Sequence, residues 1–167
     1  AGAALRRISA SASLLRRAAH AYAGLLNQLQ YQHLAAVPYA ALTLGTAVAL
    51  ETGSSLIYPR KEAKEYGTGR TVEGVFSTGE TAVVIEDLVT SGGSVLKAIR
   101  QLEAVGLRVT DVAVLIDREQ GGPENLAAAG YQLRAALKMS GILEVLHRAG
   151  RINSEEFESV KKYLAED

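Results

Sequence analysis

Two adjacent carboxylates and a glycine-containing turn follow an apolar segment near the middle of the chain. Residues 82–85 are mostly β-branched, Glu86 and Asp87 come next, and the turn Thr90-Ser91-Gly92-Gly93-Ser94 precedes a helical pattern. Backbone N–H groups in such a turn, at the start of a helix, form a binding site for an anion. The carboxylates can accept hydrogen bonds from sugar hydroxyls. The pattern therefore predicts a cradle for a ribose 5-phosphate group.

Two simpler interpretations of this stretch remain open. Glu86 and Asp87 are also compatible with a solvated strand end, and Gly92 and Gly93 with an ordinary strand-to-helix turn. The chain has no G-x-x-x-x-G-K-[ST] motif, so it lacks the lysine with which P-loop proteins contact a nucleotide β-phosphate. The sequence therefore disfavours a nucleoside triphosphatase.

A second candidate site is the charged, glycine-punctuated segment 60–70. Arg60, Lys61 and Lys64 place three cations within five residues, which suits a compact polyanion such as pyrophosphate. The alternative is a solvated loop in which glutamates compensate the lysines. The composition predicts a mobile loop in either case.

A third candidate is Arg118, which follows the predicted strand 112–116. A guanidinium group offers two parallel donors to a planar carboxylate. The alternative is a surface ion pair with Asp117 or Glu119. Arg118 therefore favours a ligand that carries a carboxylate.

The elements that position these residues alternate between strand and helix patterns. Short apolar, β-branched runs predict strands, and apolar residues spaced by three and four predict amphipathic helices. Strands are predicted at 33–37, 56–58, 71–76, 82–85, 112–116 and 131–137. Helices are predicted at 12–29, 40–50, 125–129, 142–147 and 154–165, with a further helix that buries Val95, Ile99 and Leu102 and ends near Gly106.

This alternation predicts an α/β fold with a mainly parallel sheet flanked by helices. In such a sheet the ligand lies at the carboxyl ends of the strands. Four polar strand ends would then converge on one edge: Pro38-Tyr39, Arg60-Lys61, Glu86-Asp87 and Asp117-Arg118. The three candidate sites are therefore expected to form one site.

Length and composition limit the class of protein. The 167 residues fit one domain, 1–167, and a formal net charge of zero argues against a nucleic-acid partner. Cysteine is absent and the three histidines are scattered, so no protein metal site is predicted. No apolar run is long enough to span a bilayer. We expect a soluble, cytoplasmic protein without membrane partners, and interpret the Arg/Ser/Ala-rich start as trimmed.

Four segments resemble known phosphoribosyltransferases. Residues 82–94 resemble the phosphoribosyl pyrophosphate signature, and Arg-Lys-Glu-Ala-Lys-Glu-Tyr-Gly at 60–67 resembles the flexible catalytic loop of orotate phosphoribosyltransferases. Val-Pro-Tyr-Ala-Ala-Leu at 37–42 and Leu-Ile-Asp-Arg-Glu-Gln-Gly-Gly at 115–122 are similar to the branch fused to orotidine monophosphate decarboxylase, with Ala36 replacing a usual glycine. The expected N-terminal segment with Leu-Lys-Ser-Gly is truncated or divergent.

The resemblance implies a type I phosphoribosyltransferase fold and transfer of the phosphoribosyl group to orotate, with Mg²⁺ bound mainly through phosphoribosyl pyrophosphate. It implies a homodimer in which the loop 60–70 reaches the other subunit, and a possible fused decarboxylase domain. Lys61, Lys64, Glu86 and Asp87 would be catalytic, and Thr90 and Arg118 would bind orotate. The implied ligands of phosphoribosyl pyrophosphate are Tyr39, Ala40, Arg60, Lys61, Lys64, Tyr66, Glu86, Asp87, Leu88, Val89, Thr90, Ser91, Gly92, Gly93 and Ser94.

Two other functions also fit these residues. A purine phosphoribosyltransferase would share the cradle but would have no need of Arg118. A non-catalytic module would bind phosphoribosyl pyrophosphate without turnover. For Tyr39, a half-buried packing role is the alternative to ligand contact.

Overall fold

A computed structural model describes residues 8–61 and 71–166. The described residues form one six-stranded sheet with strands β1 (His33–Ala36), β2 (Ser55–Pro59), β3 (Val72–Glu73), β4 (Thr81–Val89), β5 (Arg108–Asp117) and β6 (Gln132–Lys138). The spatial order is β3-β2-β1-β4-β5-β6, and every neighbouring pair is parallel except β2 and β3. The prediction of a mainly parallel α/β sheet is confirmed.

Helices cover both faces of the sheet. They are α1 (Ala12–Leu26), α2 (Ala40–Thr52), α3 (Gly93–Ala104), α4 (Gly122–Ala128), α5 (Met139–Arg148) and α6 (Ser154–Glu166). The alternation of side chains along β4 sends Val83 and Ile85 into the core beneath α1 and α2, and Ala82 and Val84 into the core beneath α3 and α4. The central strands are buried on both sides, which explains the apolar runs 82–85 in β4 and 112–116 in β5.

Three predicted strands differ clearly from the observed ones. β5 begins at Arg108 rather than at Val112. β4 ends at Val89 rather than at Ile85, because Leu88 and Val89 continue the ladder to β5. Glu86 and Asp87 therefore lie within the strand and not after it. The predicted strand 71–76 is reduced to Val72–Glu73, because Gly74 turns the backbone with φ 114° against Ile57.

Helix boundaries were predicted less accurately than helix positions. The first helix was predicted to extend to residue 29 but ends at Leu26, with Asn27 as its C-cap residue. The helix predicted at 125–129 begins at Gly122. The predicted capping box before α6 is confirmed, since Asn153 and Glu156 exchange backbone-to-side-chain hydrogen bonds of 2.9 and 2.8 Å.

The order of the strands places a topological switch point between β1 and β4. From β1 the chain proceeds to β2 and β3 on one side, and then returns to β4 on the other side of β1. At such a reversal the connections leave in opposite directions, and a cleft opens at the carboxyl ends of the two strands. This is the edge at which the polar strand ends were predicted to meet.

Candidate active site

Backbone hydrogen bonds hold three strand ends side by side at this edge. The Val37 amide donates to the Ile85 carbonyl at 3.0 Å, and the Arg118 amide donates to the Val89 carbonyl at 3.0 Å. The end of β1 therefore borders the acidic pair of β4, and the end of β5 borders Thr90. The topology brings Tyr39, the acidic pair, the glycine turn and Arg118 to one edge, as predicted.

The acidic pair is buried. Glu86 is 6% exposed and Asp87 is 7% exposed, so the solvated strand end considered above is not what the fold forms. The Asp87 amide donates to Glu86 Oε1 at 3.0 Å, and the Leu88 amide donates to Asp87 Oδ1 at 2.7 Å. The hydroxyl of Tyr22, which is fully buried in α1, donates to the Glu86 carbonyl. The backbone of the pair is thus fixed from the interior of the protein.

Burial raises the pKa of Glu86 from 4.5 to about 8. Hydrogen bonds from the Asp87 amide and the Ser94 side chain oppose this rise in pKa, whereas the charge of Asp87 adds to it. The Glu86 carboxyl is therefore largely protonated at neutral pH. Such a group can donate a hydrogen bond to a ligand oxygen as well as accept one.

The glycine turn is supported from behind by α4. Gly92 adopts the left-handed conformation with φ 87° immediately before α3, a helix whose N-cap makes no side-chain hydrogen bond. The Asn125 side chain donates to the Ser91 carbonyl at 3.0 Å. A Cβ atom at Gly122 would lie 2.4 Å from the Thr90 carbonyl oxygen, so only glycine permits this approach. The turn therefore presents a fixed helix N-terminus, which favours an anion.

A cleft of about 230 Å³ lies between the end of β1 and the end of β2. Lys61 Nζ is 5.2 Å from the centre of the Tyr39 ring, and the Pro38–Tyr39 peptide bond is cis. Tyr39 is 64% exposed, which does not fit a packing role. The cleft is lined by Pro38, Tyr39, Leu42, Tyr58, Pro59, Arg60, Lys61 and Glu73. It combines cations with a hydrogen-bonding aromatic group, as an anionic ligand requires.

Glu73 also lines the cleft, although the sequence did not predict it there. It accepts a hydrogen bond of 2.8 Å from Arg60 Nη1, and Gln101 donates to the Arg60 carbonyl at 3.1 Å. The signal was present, because Glu73 lies in a predicted strand, but only the antiparallel register opposite Tyr58 brings it to Arg60. Lys64 and Tyr66, two of the predicted loop residues, lie outside the described residues.

The Arg118 side chain is half-buried and has no hydrogen bond or ion pair with any residue in 8–61 or 71–166. The alternative ion pairs are not formed there: Asp117 Oδ1 accepts from the Glu119 amide at 2.8 Å, and the Glu119 carboxylate accepts from Ser140. The guanidinium group is thus available, within the described part of the chain, for a ligand carboxylate.

In the described ranges, no group of three or more His, Cys, Asp or Glu side chains could hold a metal ion. None of the described helices has the length and apolarity needed to cross a bilayer.

Comparison with known proteins identifies the family. Residues 5–129 match the family model for the phosphoribosyl transferase domain. The orotate phosphoribosyltransferase of Pyrobaculum islandicum is 34% identical over 163 residues, which cover 97% of this chain and 83% of that protein. The bifunctional enzyme PyrF/PyrE of Nostoc sp. is 42% identical over 153 residues, 92% of this chain but only 32% of that enzyme.

The fold comparison agrees. The structure of Leishmania donovani UMP synthase superimposes with a TM-score of 0.91 at 32% identity, covering 98% of this chain and 35% of that chain. The chain therefore spans about a third of these two longer relatives. On the combined evidence of the family match, the relatives and the fold, this chain belongs to the phosphoribosyltransferase family, among the orotate phosphoribosyltransferases.

Proposed function

We propose that the protein transfers the phosphoribosyl group of phosphoribosyl pyrophosphate to orotate, giving orotidine 5′-monophosphate and pyrophosphate in pyrimidine biosynthesis. The observation that carries this proposal is the continuity of β4 with the turn that follows it. A buried acidic pair and a helix N-terminus occur there in one segment, beside an available guanidinium group. A sugar, a phosphate and a planar carboxylate are the three ligand groups that these features suit.

The donor would bind along β4 and its turn. Glu86 and Asp87 would hold the ribose hydroxyls, and the backbone from Leu88 to Ser94 would bind the 5′-phosphate. The support of this turn by Gly122 and Asn125 favours a binding site formed before the ligand arrives. A preformed site lowers the entropic cost of binding.

The pyrophosphate would occupy the cleft beside Tyr39 and Ala40. Arg60 and Lys61 both line that cleft. Lys64 and Tyr66 would contact the pyrophosphate from the loop 60–70. The Arg60–Glu73 pair aligns one guanidinium at the cleft wall and leaves its other nitrogen atoms for the ligand. Lys61 and Lys64 would stabilise the negative charge that develops on the departing pyrophosphate.

Orotate would be held by Thr90 and Arg118. The bond from the Arg118 amide to the Val89 carbonyl supports this pairing, because it keeps Arg118 beside Thr90. Orotate N1 would form a bond to C1′ of the sugar as the bond from C1′ to the pyrophosphate oxygen breaks, with inversion at C1′. No protein nucleophile is needed, so the protein contributes orientation and electrostatic stabilisation.

The acidic pair also fits a role with magnesium. A Mg²⁺ ion held mainly by substrate phosphates needs only one or two protein carboxylates, and Asp87, together with Glu86 once Mg²⁺ displaces its proton, would supply them. Bound in this way, Mg²⁺ would neutralise charge on the pyrophosphate. Glu86 and Asp87 are the residues that would contact it or its water molecules.

The assembly and context of the protein are part of the same proposal. We infer a single phosphoribosyltransferase domain that forms a homodimer, with the loop 60–70 completing the partner's site, in the cytoplasm. The match to the longer bifunctional relatives supports a fused orotidine monophosphate decarboxylase domain in the parent protein.

A pyrophosphate-release assay with phosphoribosyl pyrophosphate, Mg²⁺ and either orotate, adenine or hypoxanthine tests the proposed reaction. Release with orotate alone is expected. Release with a purine base alone would refute the choice of acceptor. Calorimetric binding of phosphoribosyl pyrophosphate without release with any base would indicate a non-catalytic module and refute the reaction.

The role of Arg118 is tested separately with Arg118→Ala. Loss of a hydrogen-bonded charge pair to orotate should weaken orotate binding by about 2 kcal/mol, or about thirtyfold, by calorimetry. Arg134→Ala is a control, because Arg134 binds Asp111 at 2.8 Å on β5 and β6 rather than the proposed ligand. An unchanged dissociation constant in Arg118→Ala would assign Arg118 to structure.

A further inference from the structure

Glu119, the residue after Arg118, has an unusual backbone conformation. Among the described residues it is the non-glycine residue with a positive φ, 59°. Side chains disfavour this left-handed region, and a residue persists there only when its surroundings hold it. The contacts that hold Glu119 therefore indicate what this conformation maintains.

Those contacts come from two directions. The Glu119 carboxylate accepts hydrogen bonds from the Ser140 amide at 2.7 Å and from the Ser140 hydroxyl at 3.0 Å. The Glu119 amide donates to Oδ1 of Asp117 at 2.8 Å, and Asp117 is only 2% exposed. We call the two hydrogen bonds between the Glu119 carboxylate and Ser140 the clamp.

The clamp joins the ends of two neighbouring strands. Asp117 of β5 is the register partner of Lys138 of β6, so Glu119 and Ser140 each lie two residues beyond that pair. Ser140 is in the first turn of α5, whose own N-cap residue, Lys138, makes no side-chain capping bond. Glu119 thus caps α5 from outside the helix, where a carboxylate is favoured by the helix dipole.

Arg118 lies between the two anchored residues. The Arg118 amide donates a hydrogen bond to the Val89 carbonyl, and the neighbouring residues Asp117 and Glu119 are fixed by their own hydrogen bonds. The Arg118 guanidinium group has no partner within the described residues. The backbone is therefore held while the charged end stays available. A fixed backbone with an available guanidinium group suits a ligand whose carboxylate must be bound in one defined position.

We propose that Glu119 is a positioning residue for orotate. Through the clamp it fixes the backbone of Arg118 and couples the acceptor site to the C-terminal helix α5. This inference rests on the proposed function, because it assigns Arg118 to the base. It further implies that changes in α5 alter the affinity for orotate but leave the affinity for phosphoribosyl pyrophosphate unchanged.

The test compares Glu119→Ala, Glu119→Gly and Glu119→Gln by steady-state kinetics. Loss of the clamp in the Ala and Gly variants should raise the KM for orotate about tenfold, the effect of one lost hydrogen bond to a charged group, with the KM for phosphoribosyl pyrophosphate unchanged. The Gln variant keeps an acceptor for the Ser140 amide and should restore most of the orotate KM. Glu124→Gln, which removes the same charge at an exposed position of α4, is the control and should behave like the wild type.

Hydrogen exchange of residues 117–122 gives a readout that does not depend on catalysis. Exchange should be faster in Glu119→Ala and Glu119→Gly than in the wild type and Glu119→Gln. Unchanged exchange, an orotate KM restored by glycine, or an equal rise in both KM values would overturn the proposal. A wild-type protein without orotate turnover would instead refute the proposed function, and the orotate role of Glu119 with it.

Discussion

Replacing Glu86 with glutamine should change how the stability of the protein depends on pH. An unfolded glutamate ionises near its ordinary pKa of 4.5, whereas burial keeps the folded Glu86 protonated up to about pH 8. Between these values the folded state binds more protons than the unfolded state. The free energy of unfolding that Glu86 contributes is therefore fully present below pH 4.5 and is lost as pH rises through about 8.

The size of this effect follows from the change in pKa. One pKa unit corresponds to about 1.4 kcal/mol. The rise from 4.5 to about 8 therefore corresponds to about 5 kcal/mol of stability that the wild type loses across this range. Glutamine has nearly the same shape and does not ionise, so Glu86→Gln should be more stable than the wild type at pH 9 and should show a flatter pH dependence.

Urea unfolding followed by circular dichroism from pH 5 to pH 9 measures this difference. The wild-type and Glu86→Gln curves should diverge from pH 5 to about pH 8 and then run parallel. Glu124→Gln, which removes an exposed carboxylate, is a control that should run parallel to the wild type. Parallel curves for Glu86→Gln and the wild type would show that the folded Glu86 has an ordinary pKa, and would refute the burial argument.

Three further substitutions test separate parts of the structure. Gly122→Ala places a Cβ atom 2.4 Å from the Thr90 carbonyl oxygen, so it should lower the free energy of unfolding by about 2 kcal/mol and raise the KM for phosphoribosyl pyrophosphate. Gly141→Ala is the control: its Cβ would meet no atom within 4 Å in a helix, so this substitution should be neutral or stabilising. Tyr22→Phe leaves the buried Glu86 carbonyl without its donor and should cost about 1–3 kcal/mol in urea unfolding; an unchanged midpoint would contradict this. Lys64→Ala should lower kcat far more than orotate affinity, and an unchanged kcat would remove Lys64 from the proposed mechanism.

The sequence predicted the sheet and most of its helices because local patterns decide them. β4 and β5 contain the apolar runs 82–85 and 112–116, which are buried on both faces, and α3 has an apolar stripe with a glycine turn before it. The order of the strands was not predicted, since it depends on packing between distant segments. The prediction that polar strand ends meet needed only the parallel direction of the strands.

The features that the sequence did not predict depend on tertiary contacts. Glu86 is buried because β4 continues beside β5 beyond this residue. The sequence did not predict this continuation, because two adjacent acidic residues suggested that the strand had already ended. Glu73 reaches Arg60 only through an antiparallel register at the sheet edge. Glu119, which has a positive φ, is hydrogen-bonded to Ser140, a residue 21 positions away. Pairwise geometry of this kind leaves no periodic signal in the chain.

Buried Glu86 argues for a ligand more strongly than the exposed cations of the cleft do. A lysine such as Lys61 is stable at a surface whether or not it binds anything, so its presence does not distinguish a site from a solvated loop. A carboxyl group in a buried strand lowers stability relative to an apolar side chain. The preceding residues of the same strand, Val84 and Ile85, are apolar and fully buried. Glu119 likewise holds a conformation that glycine would adopt more easily. Departures from the most stable choice are expected where a group is held for a ligand. Both departures lie near the carboxyl ends of β4 and β5, where the proposed reaction joins the sugar to the base.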